Sequence, residues 1–220
     1  MTMPNLLARL LTRSFPGKSE TQFQPLGPDA SDPASDAPVG YESRAFKLWT
    51  ESLAQTGLGS PRILDLGKVH AQTLGFFQTL GASFGVMDLD ISLKGTAFEM
   101  ALEAYRDWGP FDGVLAWDLP NYMAAEELAV LGIWLEAHTS TPCPLLVCMA
   151  TRTPYADHPG RYSVVDESTL LVDPGSSEIT RTERHVPNVL KRAWPGFSPN
   201  RSFLLRNGMQ EFVLTRSALS

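Results

Sequence analysis

The chain has 220 residues, 43% of them apolar and 19% charged, with a formal net charge of −6. These values describe one ordinary globular domain plus a tail, and they exclude a wholly disordered or collagen-like chain. The acidic balance argues against duplex nucleic acid as a partner and for a small molecule or a protein. No apolar run reaches the roughly 18 residues that a membrane-crossing helix needs.

At the N-terminus, Leu6, Leu7, Leu10 and Leu11 fall at helical spacing beside Arg9 and Arg13. The segment is expected to be a weakly amphipathic docking helix or a frayed terminal one. It lacks the apolar core and small-residue cleavage site of a signal peptide. Residues 16–40 are rich in Pro, Asp, Ala, Ser and Gly. Such a stretch cannot offset its ordering entropy by burial, so 1–40 is expected to be a tail and 41–220 the folded domain.

The domain opens with an expected helix over 41–55, with Ala45, Phe46, Leu48, Trp49 and Leu53 on one face. Gly57, Gly59 and Pro61 end it. A strand is expected at 62–66, then a helix at about 72–80 with Gly81 as its cap, then a strand at 83–89. Residues 93–108 read as a helix with Phe98, Leu102 and Tyr105 inward, broken by Gly109–Pro110. A strand at 111–118 and a helix at 123–139 follow, the helix carrying a stripe of Leu128, Leu131, Trp134 and Leu135. A strand closes the series at 144–150.

Alternating strands and helices argue for a parallel sheet with helices on both faces. The near-continuous apolar runs of these strands fit burial on both sides. After residue 151 the chain becomes polar and irregular, and a helix is expected at 183–194. Asn207–Gly208 between two apolar-containing runs then predicts a hairpin with a type I′ turn.

Cys143 and Cys148 lie within one apolar run and have no second pair. They read as core thiols in a reducing, cytoplasmic setting rather than as metal ligands. His70, His138, His158 and His185 are scattered, without a metal-site spacing. No metal is expected.

A parallel sheet closed by an antiparallel hairpin resembles the class I S-adenosylmethionine-dependent methyltransferases, over roughly residues 41–216. The resemblance implies an α/β, Rossmann-like fold. Its sheet would have seven mostly parallel strands and a terminal antiparallel hairpin, with helices on both faces. It rests on the order of elements and on two patches. The first is Ile63-Leu64-Asp65-Leu66-Gly67, followed by Lys68-Val69-His70-Ala71. Asp65 and Gly67 match the family's acidic, glycine-rich turn, while Val69 and Ala71 stand where it prefers glycine. A β-branched residue resists positive φ and fills space. The expected cost at Val69 is about 1–3 kcal/mol, roughly a tenfold to hundredfold loss of affinity.

The second patch is Gly85-Val86-Met87-Asp88-Leu89-Asp90. The family places an acid at this strand end to accept from both ribose hydroxyls, and a carboxylate has the two oxygens for that. Asp88 and Asp90 both qualify, with Asp88 favoured. The resemblance thus implies Asp65, Gly67, Asp88 and Asp90 as cofactor-binding residues. Beyond the strand at 111–118 stand Asp118, Asn121 and Tyr122, where topology puts ligands of open α/β sheets. Trp117 or Tyr122 is a candidate to stack on a ring of cofactor or substrate. Asp118 is the candidate base. Arg152, Arg161 or Arg181 could clamp an anionic substrate.

Two functions follow from the resemblance. One is a divergent S-adenosylmethionine-dependent methyltransferase acting on an unidentified small molecule or protein. The other is a methyltransferase-like binding or scaffold module that no longer catalyses. An open, polar-rimmed cleft above Gly67, Asp88 and Asp118 would mark the enzyme. A cleft filled by Val69, His70 and their neighbours would mark the scaffold.

Overall fold

In the computed structural model the described residues are 38–173, 178–181, 185 and 188–216. The expected N-terminal helix, and the tail up to residue 37, lie outside them. A short strand, β1 (Val39–Glu42), precedes the first helix, α1 (Arg44–Gln55). The helix starts later than its apolar pattern implies because Ser43 caps it, its hydroxyl accepting from the Phe46 N–H at 2.9 Å. Then come β2 (Arg62–Asp65), α2 (Ala71–Thr79), β3 (Ser83–Val86), α3 (Thr96–Glu103) and β4 (Gly113–Trp117). A single 3₁₀ turn, Leu119–Tyr122, leads to α4 (Ala125–His138) and β5 (Cys143–Ala150).

The central sheet has six strands among the described residues, in the order β10-β11-β5-β4-β2-β3, where β10 is Phe197–Leu204 and β11 is Met209–Arg216. Strand β11 is antiparallel to both of its neighbours, whereas β2 pairs in parallel with β3 and β4, and β4 with β5. The mixed sheet and its terminal hairpin match expectation. The seven-strand count does not, since β3 forms the edge and the chain from α3 to β4 adds no further strand.

The hairpin turn also differs from the expected two-residue type. The Gly208 N–H donates to Leu205 O at 3.1 Å, the Leu205 N–H donates to Met209 O at 2.8 Å, and only Gly208 of the pair has positive φ, at 83°. This is a longer loop closed by a left-handed glycine, which needs one positive φ rather than two.

Both faces of the sheet are covered. On one face Phe98 and Leu102 of α3 and Leu128, Leu131, Trp134 and Leu135 of α4 pack with α5 (Asn188–Ala193). On the other, Phe46 and Trp49 of α1 and Phe76 and Phe77 of α2 form a second core. Each such side chain contributes about 1.5–3 kcal/mol when fully buried. Trp49 also satisfies its polar end, its Nε1–H donating to Val114 O at 3.1 Å and Pro144 O at 2.9 Å.

The segment after β5, expected to be irregular, contains four strands among the described residues. They are β6 (Tyr155–Ala156), β7 (Arg161–Val164), β8 (Thr169–Asp173) and β9 (Ile179–Arg181). Strands β1, β8 and β7 form an antiparallel sheet in that order. It closes the second core through Tyr162, Val164 and Leu170. Strand β1 is tied to the central sheet by Glu211 of β11, which is fully buried. The Tyr41 hydroxyl donates to Glu211 Oε1 at 2.9 Å and the Ser43 hydroxyl to the same oxygen at 2.8 Å. Burial pushes the Glu211 carboxyl above its ordinary range.

Candidate functional site

Strands β2, β3 and β4 run in parallel, so their C-terminal ends come to one edge of the sheet. At the end of β2, Asp65 is 1% exposed. Its Oδ1 accepts from the Gly67 N–H at 2.9 Å and from the Trp117 Nε1–H at 2.8 Å. Its Oδ2 is buried and has no partner among the described residues. Burial is the main cause that pushes this carboxyl up to about 7, and the two N–H donors oppose it only in part.

Trp117 ends β4 with a φ of 49°. For a bulky residue this is a strained backbone, of the kind that persists where surroundings over-determine it. Three contacts hold it: the bond to Asp65, a stack on Tyr162 with centroids 4.8 Å apart and planes within 6°, and close packing on Gly67. A Cβ at Gly67 would lie 3.1 Å from Trp117 Cδ1. The bare backbone at Gly67 is therefore filled from within by the indole.

Above these strand ends lies a cavity of about 550 Å³. One bank comes from the β2 and β3 ends, with Gly67, Lys68 and Asp88–Ile91, and the other from Trp117–Leu119 together with His158–Arg161. The cavity thus brings together Gly67, Asp88, Asp90, Trp117 and Asp118 of the sequence-derived candidates. Asp65 lies beneath it and does not line it. Val69 and His70 do not line it either.

The two candidate ribose acids differ in freedom. Asp90 Oδ1 accepts from the Ser92 N–H at 2.9 Å and the Ser92 hydroxyl at 2.6 Å. These bonds, with Lys68 nearby, lower its carboxyl below the ordinary value. Asp88 is exposed, has a φ of 43°, and makes no side-chain hydrogen bond among the described residues. It lines the cavity, and a carboxylate with no protein donor on either oxygen can accept from both hydroxyls of a vicinal diol.

Asp118 is 6% exposed. Its Oδ2 accepts from the Gly160 N–H at 3.0 Å, and its buried Oδ1 has no partner among the described residues. Burial pushes this carboxyl up to about 7 as well. Asn121 and Tyr122 are structural instead. The Asn121 amide donates to Asp118 O and Cys148 O and accepts from the Ala150 N–H, at 2.8–2.9 Å. Tyr122 packs edge-on against Tyr155 with centroids 5.9 Å apart.

The arginines divide in the same way. Arg161 lines the cavity. Arg181 lies 5.4 Å over the Tyr122 ring, and its Nε–H donates to the Tyr155 hydroxyl at 3.0 Å. Arg152 packs along Gly208. Nothing in the sequence marked Pro159, Gly160 or Tyr162 as site residues, and His158 stood there only as one of four scattered histidines. The Pro159–Gly160 dipeptide was the available signal, since it marks a turn, though not the strand end that the turn would meet.

No protein-family model matches the chain, and no curated protein matches it. Solved structures are similar to it in backbone course. An S-adenosylmethionine-dependent methyltransferase from Clostridium acetobutylicum is 9% identical, with 81% of this chain and 93% of that one covered and a TM-score of 0.49. Magnesium protoporphyrin IX methyltransferase from Synechocystis, with bound S-adenosylhomocysteine, is 16% identical over 79% and 81% of the two chains, with a TM-score of 0.48. The 1,6-didemethyltoxoflavin-N1-methyltransferase of Burkholderia thailandensis is 13% identical over 80% of each chain, with a TM-score of 0.45. In its own strand order, with one antiparallel strand inside a parallel sheet, the chain has the mixed α/β architecture expected from its sequence.

Proposed function

We propose that the cavity binds S-adenosylmethionine and that the protein is a divergent methyltransferase dependent on it. The observation that carries this reading is the open cavity at the C-terminal ends of β2, β3 and β4, lined together by Gly67, Asp88 and Asp118. Ligands of open α/β sheets sit at such strand ends. The lining fits the cofactor in three respects. Asp88 offers two free oxygens for the ribose diol, Leu89 and Ile91 offer apolar walls for the purine, and Lys68 suits the carboxylate. When bound, the cofactor supplies an electrophilic methyl group, and the protein supplies orientation and exclusion of water.

Asp118 is the residue placed to take a proton from a nucleophile. Its Oδ1 has no partner among the described residues, and a carboxyl pushed up to about 7 suits proton transfer near neutral pH. Gly160 holds the other oxygen, so the group is oriented before a substrate arrives. The substrate is a small molecule or a protein segment.

One observation favours the second reading, a binding module without catalysis. Asp65 is bonded to Trp117 and does not line the cavity, and the Trp117 indole packs against Gly67 where the cofactor would approach the backbone. Calorimetric titration with S-adenosylmethionine and S-adenosylhomocysteine separates the readings. Saturable binding that Asp88→Ala weakens tenfold or more, with Asp90→Ala weaker in effect, supports the cofactor site. No binding to the folded protein at millimolar ligand rejects it. Binding without methyl transfer to any substrate offered leaves the module.

A further inference from the structure

The second bank of the cavity carries its own recognition chemistry, whose role as a substrate site rests on the reading of the first bank as a cofactor site. The turn His158–Arg161 is fixed in place from three sides. The Gly160 N–H is held by Asp118, Tyr162 is stacked on Trp117, and the Val164 N–H donates to Thr73 Oγ1 at 3.1 Å. Arg161 is thus presented from the first residue of a strand whose backbone is anchored.

Arg161 is exposed, lines the cavity, and makes no ion pair among the described residues. Its ladder partner on β8 is Asp173, an acid that does not line the cavity. The nearest acid of its own bank, Asp118, is buried and has one oxygen committed to Gly160, so it does not serve as a surface counter-charge. On the facing bank Asp90 is engaged by Ser92, and Asp88, which makes no ion pair with Arg161, is the acid that the cofactor reading assigns to the ribose. His158 joins Arg161 at the rim, with its Nε2 3.8 Å from Asp157. Leu119 and Pro159 give the same bank an apolar surface.

We propose that this bank binds a small substrate with an apolar body and one anionic group, the anion on Arg161 and the body against Leu119 and Pro159. Carboxylate, sulfonate and phosphate share the required chemistry. A planar carboxylate matches the guanidinium fork best, because two parallel N–H donors can meet its two oxygens. The ligand's apolar body gains from leaving water, and its charge keeps the ligand at the rim, beside Asp118.

The test uses three probes of one shape and different charge: benzoate, benzyl alcohol and benzylamine. Each is titrated calorimetrically into the full-length protein, with and without saturating S-adenosylhomocysteine. Benzoate is expected to bind more tightly than the other two. Arg161→Gln is expected to weaken benzoate tenfold or more, Arg161→Lys less, and Arg152→Gln not at all. The proposal is overturned if benzoate fails to bind, if benzylamine binds as well as benzoate, or if Arg161→Gln leaves benzoate unchanged. The cofactor reading is judged separately by the S-adenosylhomocysteine titration and Asp88→Ala. Benzoate binding that depends on Arg161 without S-adenosylhomocysteine binding would keep the anion site and reject the cofactor.

Discussion

The Trp117 Nε1–H donates to Asp65 Oδ1 at 2.8 Å, joining the ends of two neighbouring parallel strands beneath the cavity. The bond explains why a buried carboxylate is tolerated there, and why a tryptophan holds a φ of 49°. It also gives Gly67 a role within the protein, since the indole packs where a side chain would be.

Trp117→Phe tests that bond. The phenyl ring can keep the stack on Tyr162 but removes the donor, leaving Asp65 with the Gly67 N–H alone. A buried acceptor that loses its partner costs about 1–3 kcal/mol. Urea denaturation at pH 8 should show a loss in that range. An unchanged midpoint would mean the bond contributes nothing to stability.

Asp65→Asn tests the buried charge, with a definite pH signature. The folded-state value of about 7 lies above the ordinary 3.8, so between those values the native state binds more protons than the unfolded one. Stability from this group is therefore full below about 4, falls as pH rises, and is lost above about 7. An amide oxygen can keep both acceptor bonds without the charge. The variant should exceed the parent by about 1–3 kcal/mol at pH 8 and lose that advantage near pH 4. Thermal melts at the two pH values give the comparison, and equal differences at both would contradict the assignment.

Gly132→Ala probes the approach of α4 to the chain end of α5. A Cβ there would collide with the Ala193 carbonyl and the Trp194 ring. The carbonyl belongs to backbone, so it cannot swing aside. Overpacking of this kind costs about 1–3 kcal/mol or more, which for a chain of this size is a fall in Tm of at least several degrees. A Tm within one degree of the parent would show that the helices separate without cost.

Glu211 separates hydrogen bonding from charge. Glu211→Gln keeps an oxygen for Tyr41 and Ser43 and removes a carboxyl that burial has pushed up. It should match or exceed the parent at neutral pH and above, because stability from a raised carboxyl is lost as pH climbs through its folded value. Glu211→Ala leaves two hydroxyls without their acceptor and should cost about 2–4 kcal/mol. Hydrogen exchange should rise first in β1 and β8. Protection unchanged there would remove Glu211 as their anchor.

Several parts of the site were legible from residue order. Asp88, Asp90 and Asp118 lie at strand ends because strand boundaries follow from local apolar runs and from the glycines around them. That they share one cavity follows from parallel pairing, which the alternation of strands and helices already implies. Asp65 and Trp117 were legible as candidates but not as partners. Whether an acid at a strand end faces solvent or a neighbour depends on side chains from another strand, and no local pattern carries that information.

By itself the sequence determined the mixed sheet, the helices that cover it and the site of the terminal hairpin. Those features depend on spacings of two to four residues and on single glycines such as Gly81 and Gly208, whose φ of 72° and 83° few other residues adopt. Only the tertiary structure decided that β1 pairs with β8, that the indole of Trp117 occupies the turn at Gly67, and that Gly160 is pinned by Asp118. The physical reason is distance along the chain. Contacts between remote segments form only where burial and hydrogen bonding together outweigh the entropy of closing the loop between them, and that balance is a property of the packed molecule.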